Sequence, residues 1–173
     1  MWLYISNLCV VVYFIFIFVN VILYIMPIKN IPPLIIGDLT IYPPIIQGGM
    51  GVRVSRAGLA SAVANEGCVG IIASVGLGYF EHTHSSQYIE VNNDALRQEI
   101  IKAKSNSKGI IGVNVMTVLS NYEELLKVCV EEEVDLIVSG SGLPLDLPKF
   151  VEGKNIKLIP SLFTKQNLVL THR

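Results

Sequence analysis

The stretch Tyr42–Ser55, YPPIIQGGMGVRVS, carries an apolar pair, Ile45-Ile46, straight into Gln47-Gly48-Gly49-Met50-Gly51. A helical pattern opens near Ser55, a residue type suited to N-capping. The stretch therefore reads as strand, glycine loop, helix. Glycine at such a corner either turns the chain or lets a ligand approach the backbone. The glycine spacing does not match the dinucleotide fingerprint, and no Walker motif is present.

Downstream, the same grammar repeats. The helix from Ser55 runs to about Glu66, with Leu59, Ala62, Val63 and Glu66 at helical spacing and Gly67 at its end. Val69–Ser74 is a second apolar strand, followed by a long loop. Asn92-Asn93-Asp94 then opens a helix carrying Leu96, Ile100 and Ile101. Gly109–Met116 is a third strand. Asn121 with Glu124 is a capping-box variant opening a helix with Leu125, Leu126 and Cys129 inward. VDLIVSGSG gives the fourth strand and its loop, Asp146–Val151 a short helix, and IKLIPS the fifth strand. Upstream, Leu34–Ile36 and Thr40–Tyr42 flank a Gly37-Asp38 turn, the pattern of a small hairpin.

These strands are continuous apolar runs, the mark of parallel strands covered on both faces. Strand–helix alternation implies right-handed βαβ units. Each strand ends in a polar or glycine-rich loop, and α/β folds place ligands at that edge. Asn114 stands out there, because an amide near the end of an apolar run needs partners. It serves either as a bonded core residue or as a holder of a polar heterocycle. Ser139 and Ser141 invite the same two readings.

Composition narrows the classes. The chain has 173 residues, half of them apolar, and a formal net charge of −1. It shows no basic stripe and no RNA-binding aromatic motif, which argues against a nucleic-acid partner. Cys9, Cys68 and Cys129 form neither a disulfide framework nor a zinc spacing. His82-x-His84 lacks a third ligand at defined spacing, so no metal site is assigned.

Residues 1–26 carry no charge, and Leu8–Ile25 is interrupted only by Asn20. An apolar run of about 20 residues spans a bilayer as a helix. Insertion by residues 2–25, and hence a membrane anchor for an otherwise cytoplasmic chain, is one expectation. The other is an upstream extension, since Met26 begins an ordinary start for a soluble protein.

Taken in order, PPIIQGGMGVRVS…LASAVANEGCVGII, GVNVM and VSGSGLPLDLP resemble the nitronate monooxygenase (2-nitropropane dioxygenase-like) family. They are also similar to the related flavin-dependent enoyl-ACP reductases. The resemblance implies an α/β fold: part of a TIM (β/α)8 barrel over 27–160, with about five parallel strands. The apolar segment 1–26, read from composition as a helix that spans a membrane or as an upstream extension, precedes it. Residues 161–173 match nothing in the family. FMN is the implied cofactor, with Gln47, Gly48, Gly49, Met50 and Gly51 against the ring and Asn114 bonding it. Ser139, Gly140, Ser141, Gly142 and Leu143 line the implied substrate side.

The implied chemistry is oxidation of an alkyl nitronate with O2 to a carbonyl compound and nitrite. Enoyl-ACP reduction is the alternative within enzymes. The third reading is a half-barrel without chemistry, able at most to associate with another copy. Arg53 departs from the family pattern, where a small residue is usual, and so does Cys68, where glycine is common. The family's histidine loop, of Gly-Gly-His type, has no counterpart here, so no residue is assigned as catalytic. Both ends of the chain read as foreign to the family, which suggests a truncated gene product.

Overall fold

The computed structural model describes residues 31–78, 87–142 and 145–161. All of its regular elements fall in the unit Pro33–Arg173. The chain opens with β1 (Leu34–Ile36) and β2 (Leu39–Ile41), an antiparallel hairpin turned at Gly37, whose φ is +61°. Next come α1 (Ala57–Asn65), β3 (Gly70–Ala73) and α2 (Tyr88–Asn106). Then follow β4 (Ile111–Met116), α3 (Tyr122–Glu131), β5 (Leu136–Gly140), α4 (Leu147–Phe150) and β6 (Lys157–Pro160).

Strands β3-β4-β5-β6 lie in sequence order in one parallel sheet. The sheet is open, as in a partial barrel. The expected first strand, Ile45–Gly48, is reduced to a parallel bridge between Ile46 and Val69. Its two backbone bonds are Val69 N–H to Ile45 O and Gln47 N–H to Val69 O, both 3.0 Å. Beyond them the Gln47 side chain replaces the ladder, accepting from Ile71 N–H at 3.3 Å and donating to Ile71 O at 3.1 Å.

Each sheet face has its own apolar cluster. Helices α1, α2 and α3 cover one face through residues such as Ala60, Leu96, Ile100, Leu125 and Leu126. The hairpin closes the other, where Ile41 packs with Val69, Ile71 and Leu136. This two-sided burial explains the absence of polar alternation in the strands.

Helix α1 buries Ala57, Ala60, Ser61 and Ala64 and leaves Leu59 exposed, a different face from the expected one. The cause is close packing. A Cβ on Gly70 would lie 1.9 Å from Ala60 O, and one on Gly109 would lie 2.2 Å from Ala64 O. Small residues on the helix and glycines beneath it let the backbones touch.

The expected caps also differ. Helix α1 is preceded by Arg56, not Ser55, and its N-terminus is capped from another helix: Ala57 N–H donates to Glu99 Oε2 at 2.7 Å. Arg56 Nε donates to the other oxygen of the same carboxylate at 2.7 Å. Helix α2 begins at Tyr88, ahead of the asparagine cluster. Asn121 precedes α3 without closing a capping box and instead donates to Asn93 Oδ1 at 3.0 Å. The C-terminus of α3 takes its cation from α2, with Lys104 Nζ donating to Glu132 O and Glu133 O.

The membrane expectation is corrected here. Among the described residues no helix is long and apolar enough to cross a bilayer. The segment behind that expectation, residues 2–25, lies outside the described residues, and neither membrane insertion nor anchoring is carried further.

Glu99→Ala removes the cap and leaves the Ala57 N–H unpaired in a buried site. The expected loss is about 2 kcal/mol in urea unfolding. A change under about 0.5 kcal/mol, the range of neutral surface substitutions, would refute the cross-helix cap.

Candidate functional site

The C-terminal edge of the sheet holds a cavity of about 390 Å³. Ile46, Ile71, Met116, Val138 and Ile159 form apolar walls, and Gln47, Gly48, Gly49, Asn114, Gly140, Ser141 and Ser161 complete the lining. Four strand ends and the bridge at Ile46 thus converge on one space, the edge the sequence marks with polar loops.

The glycine loop and the buried amide meet there. Asn114 sits two residues before the end of β4, opposite Ala73 on one side and Val138 on the other. Its Nδ2 donates to Gly49 O at 3.4 Å across 65 residues of sequence. A Cβ on Gly49 would fall 2.6 Å from Asn114 Cβ, so only glycine lets the amide lie where it does. A Cβ on neighbouring Gly48 would meet nothing within 4 Å. The N–H groups of Gly48 and Gly49 have no hydrogen-bond partner among the described residues.

The other expected site residues divide. Met50 is more than half exposed and does not line the cavity. Gly51 instead makes room for Val75, whose Cγ1 would be 2.1 Å from an added Cβ. Gly140 and Ser141 reach the cavity wall, with Ser141 in the left-handed region at φ +61°. Gly142 lies against Thr117, and Leu143 is outside the described residues.

Ser139 points away. It is fully buried on the helix side, with its Oγ 3.1 Å from Tyr122 OH. Burial raises the Tyr122 pKa, partly opposed by the Ser139 hydrogen bond. Alternation along β5 explains the arrangement: Val138 and Gly140 face the cavity, so the residue between them cannot.

Three residues not expected at the site shape its rim. Ser55 is fully buried behind the glycine loop rather than capping a helix. Asn92, inside α2, accepts from Gly78 N–H at 3.3 Å and donates to Ser74 O at 3.2 Å, fixing the loop after β3. A cluster of small polar residues was the only sequence signal for Asn92, and it reads equally well as a helix start. Arg53, at φ +59°, donates to Leu77 O and ties the first loop to the second.

Among the described residues, the cavity lining contains no carboxylate, histidine, cysteine or cation. Among the described residues no group of acidic, histidine or cysteine side chains could hold a metal; His82 and His84 lie outside them. The site offers apolar walls, backbone N–H groups and one fixed amide. Those donors suit a flat, hydrogen-bonding ring, and the described lining adds no cation to pair with a phosphate.

Gly49→Ala is expected to cost about 1–3 kcal/mol by overpacking and to shift the Asn114 side-chain amide resonance. Gly48→Ala is expected to leave both nearly unchanged. Equal effects from the two substitutions would contradict the contact.

Solved structures share this fold. FabK from Thermotoga maritima is similar at 28% identity and a TM-score of 0.61, over 75% of this chain and 37% of that one. Nitroalkane oxidase from Streptomyces ansochromogenes shares the fold at a TM-score of 0.60 and 19% identity, over 75% of this chain and 43% of that one. The chain therefore spans well under half the length of either structure. No curated protein matches it. The family model for nitronate monooxygenase matches residues 33–137, the larger part of the sequence. On that match, the chain belongs to the nitronate monooxygenase family.

Proposed function

We propose that residues 33–161 form the ring-holding wall of an FMN-dependent oxidoreductase built on a (β/α)8 barrel. The observation that carries this reading is the contact between Gly49 and Asn114, two motifs far apart in sequence that share one cavity. When bound, the flavin supplies the electron and hydride chemistry, for which the described lining residues carry no titratable side chain. The Gly48 and Gly49 backbone approaches the ring without side-chain interference. Asn114, held by Gly49 O, presents its amide at a fixed angle. Ile46, Ile71, Val138 and Ile159 exclude water, and Gly140 with Ser141 borders the substrate.

Of the two flavin chemistries, reduction of an enoyl thioester is the better supported. FabK matches at 28% identity, against 19% for the nitroalkane oxidase. Oxidation of an alkyl nitronate with O2 is the second reading, supported by the family to which the chain belongs.

Fluorescence titration of the purified chain with riboflavin and FMN tests the proposal. With no cation among the described lining residues, the two should bind with affinities within about threefold of each other, since the phosphate gains no ion pair there. No quenching by either flavin would refute a ring site and favour a half-barrel without chemistry. In a homologue that spans the whole barrel, enoyl-thioester reduction and nitrite release from a nitronate can be assayed side by side. The faster activity identifies the substrate class.

A further inference from the structure

The hydroxyl of Ser55 is fully buried, and every hydrogen bond it can make goes to the glycine loop. It accepts from Gln47 Nε2 at 3.1 Å and from Met50 N–H at 3.0 Å, and it donates to Gly48 O at 3.2 Å. One donor and two lone pairs are all that a serine hydroxyl has. The Ser55 backbone adds two further ties: its N–H donates to Met50 O at 2.9 Å, and its carbonyl accepts from Ala73 N–H at 3.0 Å at the end of β3.

The consequence lies one residue away. With Gly48 O and Met50 N–H both taken by the hydroxyl, the two peptides flanking Gly49 are fixed. Gly49 O is left for Asn114, and the N–H groups of Gly48 and Gly49 are left without partners among the described residues, beside the cavity. Gln47 cannot do this alone, because its amide is shared between Ser55 and Ile71.

We infer that Ser55 is a positioning residue for the cofactor: its hydroxyl holds the Gly48–Met50 backbone in the one conformation that offers free N–H donors to the flavin ring. The ligand in this inference rests on the flavin reading above; the holding of the loop does not. Ser55 touches no bound group and acts through Gly48, Gly49 and Met50.

The test compares the full chain with Ser55→Ala and with a control, Ser61→Ala. Ser61 is a buried serine on the adjoining helix whose hydroxyl bonds only within that helix, to Gly58 O. Amide hydrogen exchange at Met50 is read at equal global stability. Ser55→Ala should speed it by about tenfold or more and Ser61→Ala should not, because only the first opens the loop locally. Riboflavin affinity should fall about tenfold in Ser55→Ala, the loss expected when donors are no longer pre-set. The visible band of the bound flavin should also move in that variant and stay put in the control. Unchanged Met50 exchange in Ser55→Ala overturns the inference, as does unchanged riboflavin affinity in a chain that binds riboflavin. A wild-type chain that binds no riboflavin refutes the flavin reading, and the exchange ratio at Met50 then decides the role of Ser55 by itself.

Discussion

The closeness of α1 to the sheet is the constraint on which the rest depends. The helix backbone comes near enough to β3 and the turn before β4 that Gly70 and Gly109 leave no room for a side chain. A helix held so tightly fixes its own N-terminus, and with it the chain that enters there. The Glu99 carboxylate then receives Ala57 N–H and the Arg56 guanidinium, locking α1 to α2. The glycine loop must therefore pass over the end of β3, and Ser55 joins it to Ala73.

From that fixed corner the rim is assembled by glycines fitted to valines. Gly51 yields to Val75, and Gly76 yields to Val52, so the loops after the first two strand positions interlock. Asn92 holds the second loop from below. The result is a stiff shelf of backbone polar groups above an apolar cavity. Preorganised donors over apolar walls suit recognition of a planar ring, because binding then costs little reordering. Among the described residues the cavity wall contributes no acid or base.

Much of this was legible in the residues. Apolar runs without alternation announced parallel strands, and glycine or small polar residues at the strand ends marked the edge where the cavity lies. Gly37-Asp38 marked the hairpin. What the residues hid was partnership at a distance. Ser55 has the chemistry of a helix cap, and only the fold shows that its hydroxyl is already committed to the loop five residues earlier. Asn92 looked like a helix start because the side chain it needed to meet the loop is the same one that would cap. Leu59 looked like a core residue because apolar spacing cannot reveal that the sheet below permits only alanine-sized contacts. Ser139 was the exception, since strict alternation along β5 from Val138 and Gly140 would have turned it outward without a structure. The apolar run Leu8–Ile25 lies outside the described residues, and among those described no helix is long and apolar enough to cross a bilayer.

The most direct measurement of the central claim is a map of amide resonances in the isotope-labelled chain as riboflavin is added. The account predicts that Gly48, Gly49 and the Asn114 side-chain amide shift together and saturate at one affinity. Resonances at the opposite end of the strands, such as Lys154 and Asn155, should stay still. Shifts centred anywhere else, or none at all, would contradict a flavin-ring site at this edge of the sheet.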